Sequence, residues 1–119
     1  MTPRILVIED DDDLRSMMEL AMEVSSIDLV GSAATANEGI ELAIEHQPDL
    51  VIMDVYLPDM DGIQATKVIM EKVPSTKVVG FTGRDARELD SMIEAGATAV
   101  YEKTRFIELL QLVQAGEFD

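Results

Sequence analysis

The sequence predicts a doubly wound α/β domain, a parallel sheet sandwiched between layers of helix. Five short apolar runs of strand length punctuate the 119 residues. Segments with apolar residues three and four apart alternate with them, and the runs are apolar enough to be covered on both faces.

The first strand is Ile5 to Ile8, followed by a helix carrying Leu14, Met17, Met18 and Ala21, which Asp13 can cap. A second strand, Leu29 to Ala33, leads into Thr35 and Glu38, spaced as a capping box for a helix with Ile40, Ala43 and Ile44. His46 falls near the end of that helix, where a charged imidazole favours the negative end of the dipole, and it is assigned no function. Pro48 marks the loop into the third strand, Leu50 to Met53, and Pro74 the loop that separates a helix with Ile63, Thr66 and Met70 from the strand Val78 to Phe81. Asp85 and Glu88 repeat the capping arrangement before a helix with Leu89 and Ile93, and Gly96 stops it. The strand Ala97 to Tyr101 and a helix with Phe106, Leu109, Leu110 and Val113 close the pattern, with Gly116 as the final stop. There is no internal repeat or linker, and the length fits one domain over residues 1–119, with 116–119 a candidate tail or cloning remnant.

Charge and composition narrow the function. With 24 acidic and 9 basic residues, the net charge of -15 repels a phosphate backbone or an anionic membrane surface, so direct binding of either is not expected. The absence of cysteine excludes disulfides, thiolate zinc sites and cysteine nucleophiles. No apolar run approaches the roughly twenty residues of a membrane span, which points to the cytoplasm. Aromatics are 4% of the chain, so the eight methionines are read as packing.

In a parallel sheet every strand ends at the same edge, and ligands bind there. The first strand runs into Glu9 and Asp10, the third into Asp54, the fourth into Thr82, and Lys103 follows the fifth. Gathering three carboxylates costs free energy unless a cation or a shared proton offsets their repulsion. A hard divalent ion fits, because Mg²⁺ is held by one or two carboxylates and waters beside a phosphate oxygen. The roles then follow: Asp54 attacks phosphorus, the cation neutralises the approaching anions, and Lys103 and Thr82 contact phosphoryl oxygens. Asp11, Asp12 and Asp13 are read as a solvated loop and helix cap.

The stretches ILVIEDDDDLR (5–15), MDVYLPDMDG (53–62), FTG (81–83) and AGATAVYEK (95–103) together resemble the receiver domains of bacterial response regulators, in order and across essentially the whole chain. The resemblance implies a flavodoxin-like three-layer sandwich with a five-stranded sheet in order 2-1-3-4-5 and five helices. It implies phosphorylation of Asp54 by a histidine kinase or phosphotransfer protein. The cation, Mg²⁺ or Mn²⁺, would be bound by Asp10, Asp54, the backbone carbonyl of Tyr56, and Glu9 through water. Thr82 would be the switch hydroxyl and Tyr101 the switch aromatic. Together they would remodel the face of the fourth helix, fifth strand and fifth helix, toward an effector domain or a second copy. Gly83 is small where the family wants a small residue, and Arg84 is a candidate for tuning loss of the phosphoryl group, whereas Arg87 is read as surface charge. Such a domain assists its own phosphorylation but is not a turnover enzyme. The chain looks most like receivers fused to a C-terminal helix-turn-helix.

One departure stands out. The family usually places proline after the lysine, in a cis peptide, but here Thr104 follows Lys103. A cis bond before a non-proline residue costs about 2.5 to 4 kcal/mol, so a trans bond is expected, with Thr104 capping the last helix. Among rivals, an aspartate-nucleophile phosphatase would need its Asp-x-Asp directly after a strand, and Asp59 to Asp61 lie beyond Pro58. A calcium loop starting at Leu57 would meet apolar residues at Leu57 and Val68. The alternative that keeps the fold is a receiver-like interaction domain that is never phosphorylated; the intact Glu9, Asp10, Asp54, Thr82 and Lys103 set argues against it.

Overall fold

The computed structural model describes residues 3–83 and 89–118. Strands β1 (Arg4–Ile8), β2 (Asp28–Ala33), β3 (Leu50–Asp54), β4 (Lys77–Thr82) and β5 (Ala99–Glu102) form one parallel sheet in the order β2-β1-β3-β4-β5. Helices α1 (Asp12–Val24), α2 (Ala36–His46), α3 (Gly62–Lys72), α4 (Leu89–Glu94) and α5 (Phe106–Gln114) alternate with them. The expected fold class and strand order are both present.

Side-chain alternation explains why the central runs are apolar throughout. Ile5, Val7, Leu50, Ile52, Val79 and Phe81 face Met18 and Met22 of α1 and Phe106, Leu109, Leu110 and Val113 of α5. The intervening Leu6, Ile8, Val51, Met53 and Val78 face Ala36 and Ala43 of α2, Ala65 and Ile69 of α3, and Met92 of α4. A period of two thus splits each strand between two cores. Phe81 and Phe106 meet edge to face, ring centroids 5.7 Å apart. Phe118, from the stretch read as a candidate tail, is buried in the α1–α5 core.

Several local expectations are corrected. The cap of α1 is Asp11, which accepts from Leu14 N at 3.0 Å, so Asp13 lies inside the first turn. The β1 chain leaves the sheet early enough for helical geometry to begin at Asp12. Thr104 caps nothing: Lys103–Arg105 form a 3-10 turn that runs directly into α5, which has no side-chain cap. The described residues contain no cis peptide, so the Lys103 to Thr104 bond is trans. Met18 and Ala43 are fully buried as expected, but Met17, Ile44, Leu89 and Ile93 are substantially exposed, and Met22 and Met92 complete the buried faces. Thr35 does accept from Glu38 N, at 3.2 Å. Gly96 and Gly116 stand at positive φ after α4 and α5, as C-terminal stops require. The Asp85 and Glu88 pair, Arg84 and Arg87 lie outside the described residues. Among those described, no helix is long and apolar enough to cross a membrane.

Candidate functional site

β1 and β3 are neighbours at the centre of the sheet, with Ile8 opposite Met53. One residue further, Glu9 and Asp54 stand side by side, Glu9 fully buried and Asp54 2% exposed. Glu9 is fixed by its surroundings. Its N–H donates to Ala33 O at 2.9 Å, and its carbonyl accepts from Arg15 Nη1 at 2.8 Å. Its Oε2 accepts from Asp11 N at 3.1 Å. Arg15 is itself held by Asp12 at 2.6 Å. Asp54 Oδ1 accepts from Tyr56 N at 3.0 Å, which turns the chain away from β3 immediately after the strand.

Lys103 enters from the end of β5. Its ammonium lies 2.7 Å from Glu9 Oε1 and 3.4 Å from Asp54 Oδ2, two buried oxygens that take no conventional hydrogen bond. Asp10, exposed, completes the group: carboxylate oxygens of Glu9, Asp10 and Asp54 all lie within 4.8 Å of one another. Asp10 and Asp54 border an open cleft of about 440 Å³, lined further by Asp11, Tyr56, Gly83 and Lys103.

The charges are out of balance. Burial, reinforced by Glu9 and Asp10 and opposed by the Tyr56 N–H, pushes the Asp54 carboxyl up to about 8. Burial also acts upward on Asp10, but hydrogen bonding with Asp54 and Glu9 outweighs it and holds that carboxyl below its ordinary value. For Lys103, burial acts downward but is outweighed by Glu9 and Asp54, so the ammonium is raised. Once the Asp54 proton is displaced, three carboxylates and one ammonium leave two negative charges, the amount one divalent cation offsets. An octahedral ion with ligands at about 2.1 Å spreads them at most about 4.2 Å apart, close to the spread of these oxygens. The buried, under-bonded Asp54 Oδ2 and the all-oxygen donor set fit a hard cation.

The structure therefore brings Glu9, Asp10, Asp54 and Lys103 together, with Tyr56 and Gly83 at the rim. Thr82, 2% exposed, ends β4 directly before Gly83. Tyr101 pairs with Phe81 across β4 and β5, partly buried against the α1–α5 core. The Arg105 guanidinium lies 5.5 Å from its ring centroid and is held there by Glu108.

Three contributors were not foreseen from the sequence. Arg15 clamps the Glu9 carbonyl. Gly62 lies so close to β3 that a Cβ there would collide with the Asp54 carbonyl oxygen and sit 2.7 Å from Val55 Cα. Asp59 hydrogen-bonds the start of α2 from 22 and 23 residues away. The glycine directly after Asp61 offered a local signal; Arg15 reaches back six residues across the turn into α1, and Asp59 acts from a distant loop.

A family profile described as the response regulator receiver domain matches residues 5–114. Protein-glutamate methylesterase/protein-glutamine glutaminase 4 of Hahella chejuensis is 38% identical over 108 residues, covering 87% of this chain and 28% of that protein. Transcriptional regulatory protein LiaR of Bacillus subtilis is 35% identical over 103 residues, covering 85% of this chain and 49% of that protein. The chain thus spans less than half the length of either relative. Among solved structures, a LuxR-family two-component response regulator from Aurantimonas sp. SI85-9A1 superposes with a TM-score of 0.86 at 30% identity, covering 97% of this chain and 84% of that one.

Proposed function

Because the chain belongs to the response regulator receiver domain family, we propose that it is a phosphorylation switch in which Asp54 accepts a phosphoryl group. The observation that carries this reading is the buried Asp54 carboxylate opening onto an acidic cleft beside an ammonium.

Asp10, Asp54 and the Tyr56 carbonyl would hold Mg²⁺ or Mn²⁺ directly, and Glu9 through water. The bound cation would screen the negative charge of donor and acceptor and polarise the transferring phosphoryl oxygens. An Asp54 carboxylate oxygen forms the new P–O bond as the bond to the donor's leaving group breaks, and the leaving group departs with that electron pair. Lys103 and the Thr82 hydroxyl contact the phosphoryl oxygens and stabilise the charge spread over them. Water later attacks phosphorus and returns the Asp54 carboxylate.

A histidine kinase or phosphotransfer protein supplies the phosphoryl group, which fits a cytoplasmic location. The new charge draws Thr82 toward it and Tyr101 inward, remodelling the face of α4, β5 and α5 for an effector domain or a second copy. Incubation with Mg²⁺ and acetyl phosphate, read by intact mass, tests the reading. One added phosphoryl group is expected in the wild type, none in Asp54→Ala and none with chelator. No gain in the wild type leaves the phosphorylation-independent interaction domain.

A further inference from the structure

We propose that Asp59 is a positioning residue for the cation site, acting by tying the loop that carries Tyr56 to the N-terminus of α2. This rests on the reading of the acidic cleft as a cation site.

A helix begins with N–H groups that have no partner within the helix. At α2, Thr35 Oγ1 accepts from Glu38 N. The two preceding N–H groups are taken by Asp59 from another loop: Ala36 N donates to Oδ1 and Asn37 N to Oδ2, both at 2.9 Å. These donors hold the Asp59 carboxyl below its ordinary value and keep it ionised. Asn37 is exposed and water can replace the carboxylate at its N–H, whereas Ala36 is fully buried, so the bond to Ala36 is the one that ties the loop to the helix. The consequence falls on the loop.

Residues 55–61 leave β3 and return to α3. One end is pinned by Tyr56 N on Asp54 Oδ1, and the other by Gly62 N on Val55 O at 2.7 Å and by Asp61, which caps α3 through Gln64 N at 2.8 Å. The tip between them contains Leu57, Pro58 and Met60, and Asp59 is where it is bonded to a different helix. Tyr56 lies between these anchors, its N–H held by Asp54 Oδ1. Its backbone orientation, and with it the carbonyl that would meet the cation, is therefore set by the anchors on either side. Both carboxylate oxygens are used, which asparagine reproduces only in part.

The test is titration of the unphosphorylated protein with Mg²⁺, followed by the backbone amide resonances of Val55 and Tyr56. Asp59→Ala should weaken binding about threefold to tenfold, at or below the roughly 10- to 100-fold typical of groups that hold metal ligands directly. Asp59→Asn should recover part of the loss. Thr35→Ala removes a cap from the same helix end without touching the loop and should leave Mg²⁺ affinity unchanged. Thermal melts of all three variants separate loss of fold from loss of binding. Wild-type affinity in Asp59→Ala, or equal weakening in Thr35→Ala, overturns the proposal. If the wild type itself binds no Mg²⁺, it is the reading of the cleft that fails.

Discussion

Lys103 Nζ lies 2.7 Å from Glu9 Oε1 but 3.4 Å from Asp54 Oδ2. The ammonium thus leans toward the carboxylate that stays unmodified and away from the one proposed to take the phosphoryl group. Glu9 holds the lysine at the rim of the cleft, and Asp54 keeps an oxygen free of conventional hydrogen bonds.

Removing the lysine should therefore separate stability from chemistry. Breaking a buried ion pair costs about 3 to 5 kcal/mol, and with the Lys103 side chain 24% exposed a loss on the order of 2 kcal/mol is expected for Lys103→Ala without divalent cation. Mg²⁺ affinity should rise, because a competing positive charge has gone, while phosphorylation slows. Denaturant melts, Mg²⁺ titration and acetyl phosphate kinetics check the three arms. Weaker Mg²⁺ binding in the variant would contradict the arrangement.

The raised Asp54 carboxyl fixes the sign of a pH dependence. Its folded value of about 8 exceeds the ordinary 3.8, so between these the folded state holds a proton that the unfolded chain has released. Stability from this group is complete below about pH 4 and is lost as pH rises toward about 8. Asp10, Asp59 and Glu108 are shifted downward, and their contributions are lost only at acid pH. In chelator, the thermal midpoint should fall from about pH 5 to about pH 8, and Asp54→Asn should flatten that slope. An unchanged slope in the variant would place its origin elsewhere.

Gly62 is demanded by space, since its Cβ position is filled by the backbone of Asp54 and Val55. Gly62→Ala should cost roughly 1 to 3 kcal/mol, as overpacking does, and should also displace the loop that carries Tyr56. Mg²⁺ affinity and thermal stability should fall together. A variant with wild-type stability would show that the close approach relaxes at no cost.

Tyr101 stands beside Phe81 under the Arg105 guanidinium. Tyr101→Ala should leave phosphorylation by acetyl phosphate intact while reducing the effect of phosphorylation on partner or self-association. Coupling of this kind is typically about 5- to 150-fold, and the variant should lose most of it. Loss of phosphorylation itself would argue against a purely transmitting role.

How far the sequence reveals this site depends on the range of the interactions involved. Asp54 and Glu9 follow directly from apolar runs, because the end of a buried strand is a local pattern and a parallel sheet aligns all such ends. The exposure of Met17 and the burial of Met22 do not follow, since two methionines on one helix differ only in what packs over them. The cap moved from Asp13 to Asp11 because four consecutive acidic residues, Asp10 to Asp13, offer equivalent local signals. Thr104 has the chemistry of a cap, but the 3-10 turn places it ahead of α5. Asp59 acts across the fold, and no spacing along the chain announces a contact made 23 residues away.

The phosphoryl group proposed for Asp54 can be located by its chemistry. Hydride reduction converts an acyl phosphate, but not a free carboxylate, to the alcohol. The protein is treated with acetyl phosphate and Mg²⁺, reduced with borohydride and mapped by peptide mass. The conversion should fall at position 54 alone and vanish in chelator. Conversion at Asp10, Asp11 or any other carboxylate, or none at all, would contradict it.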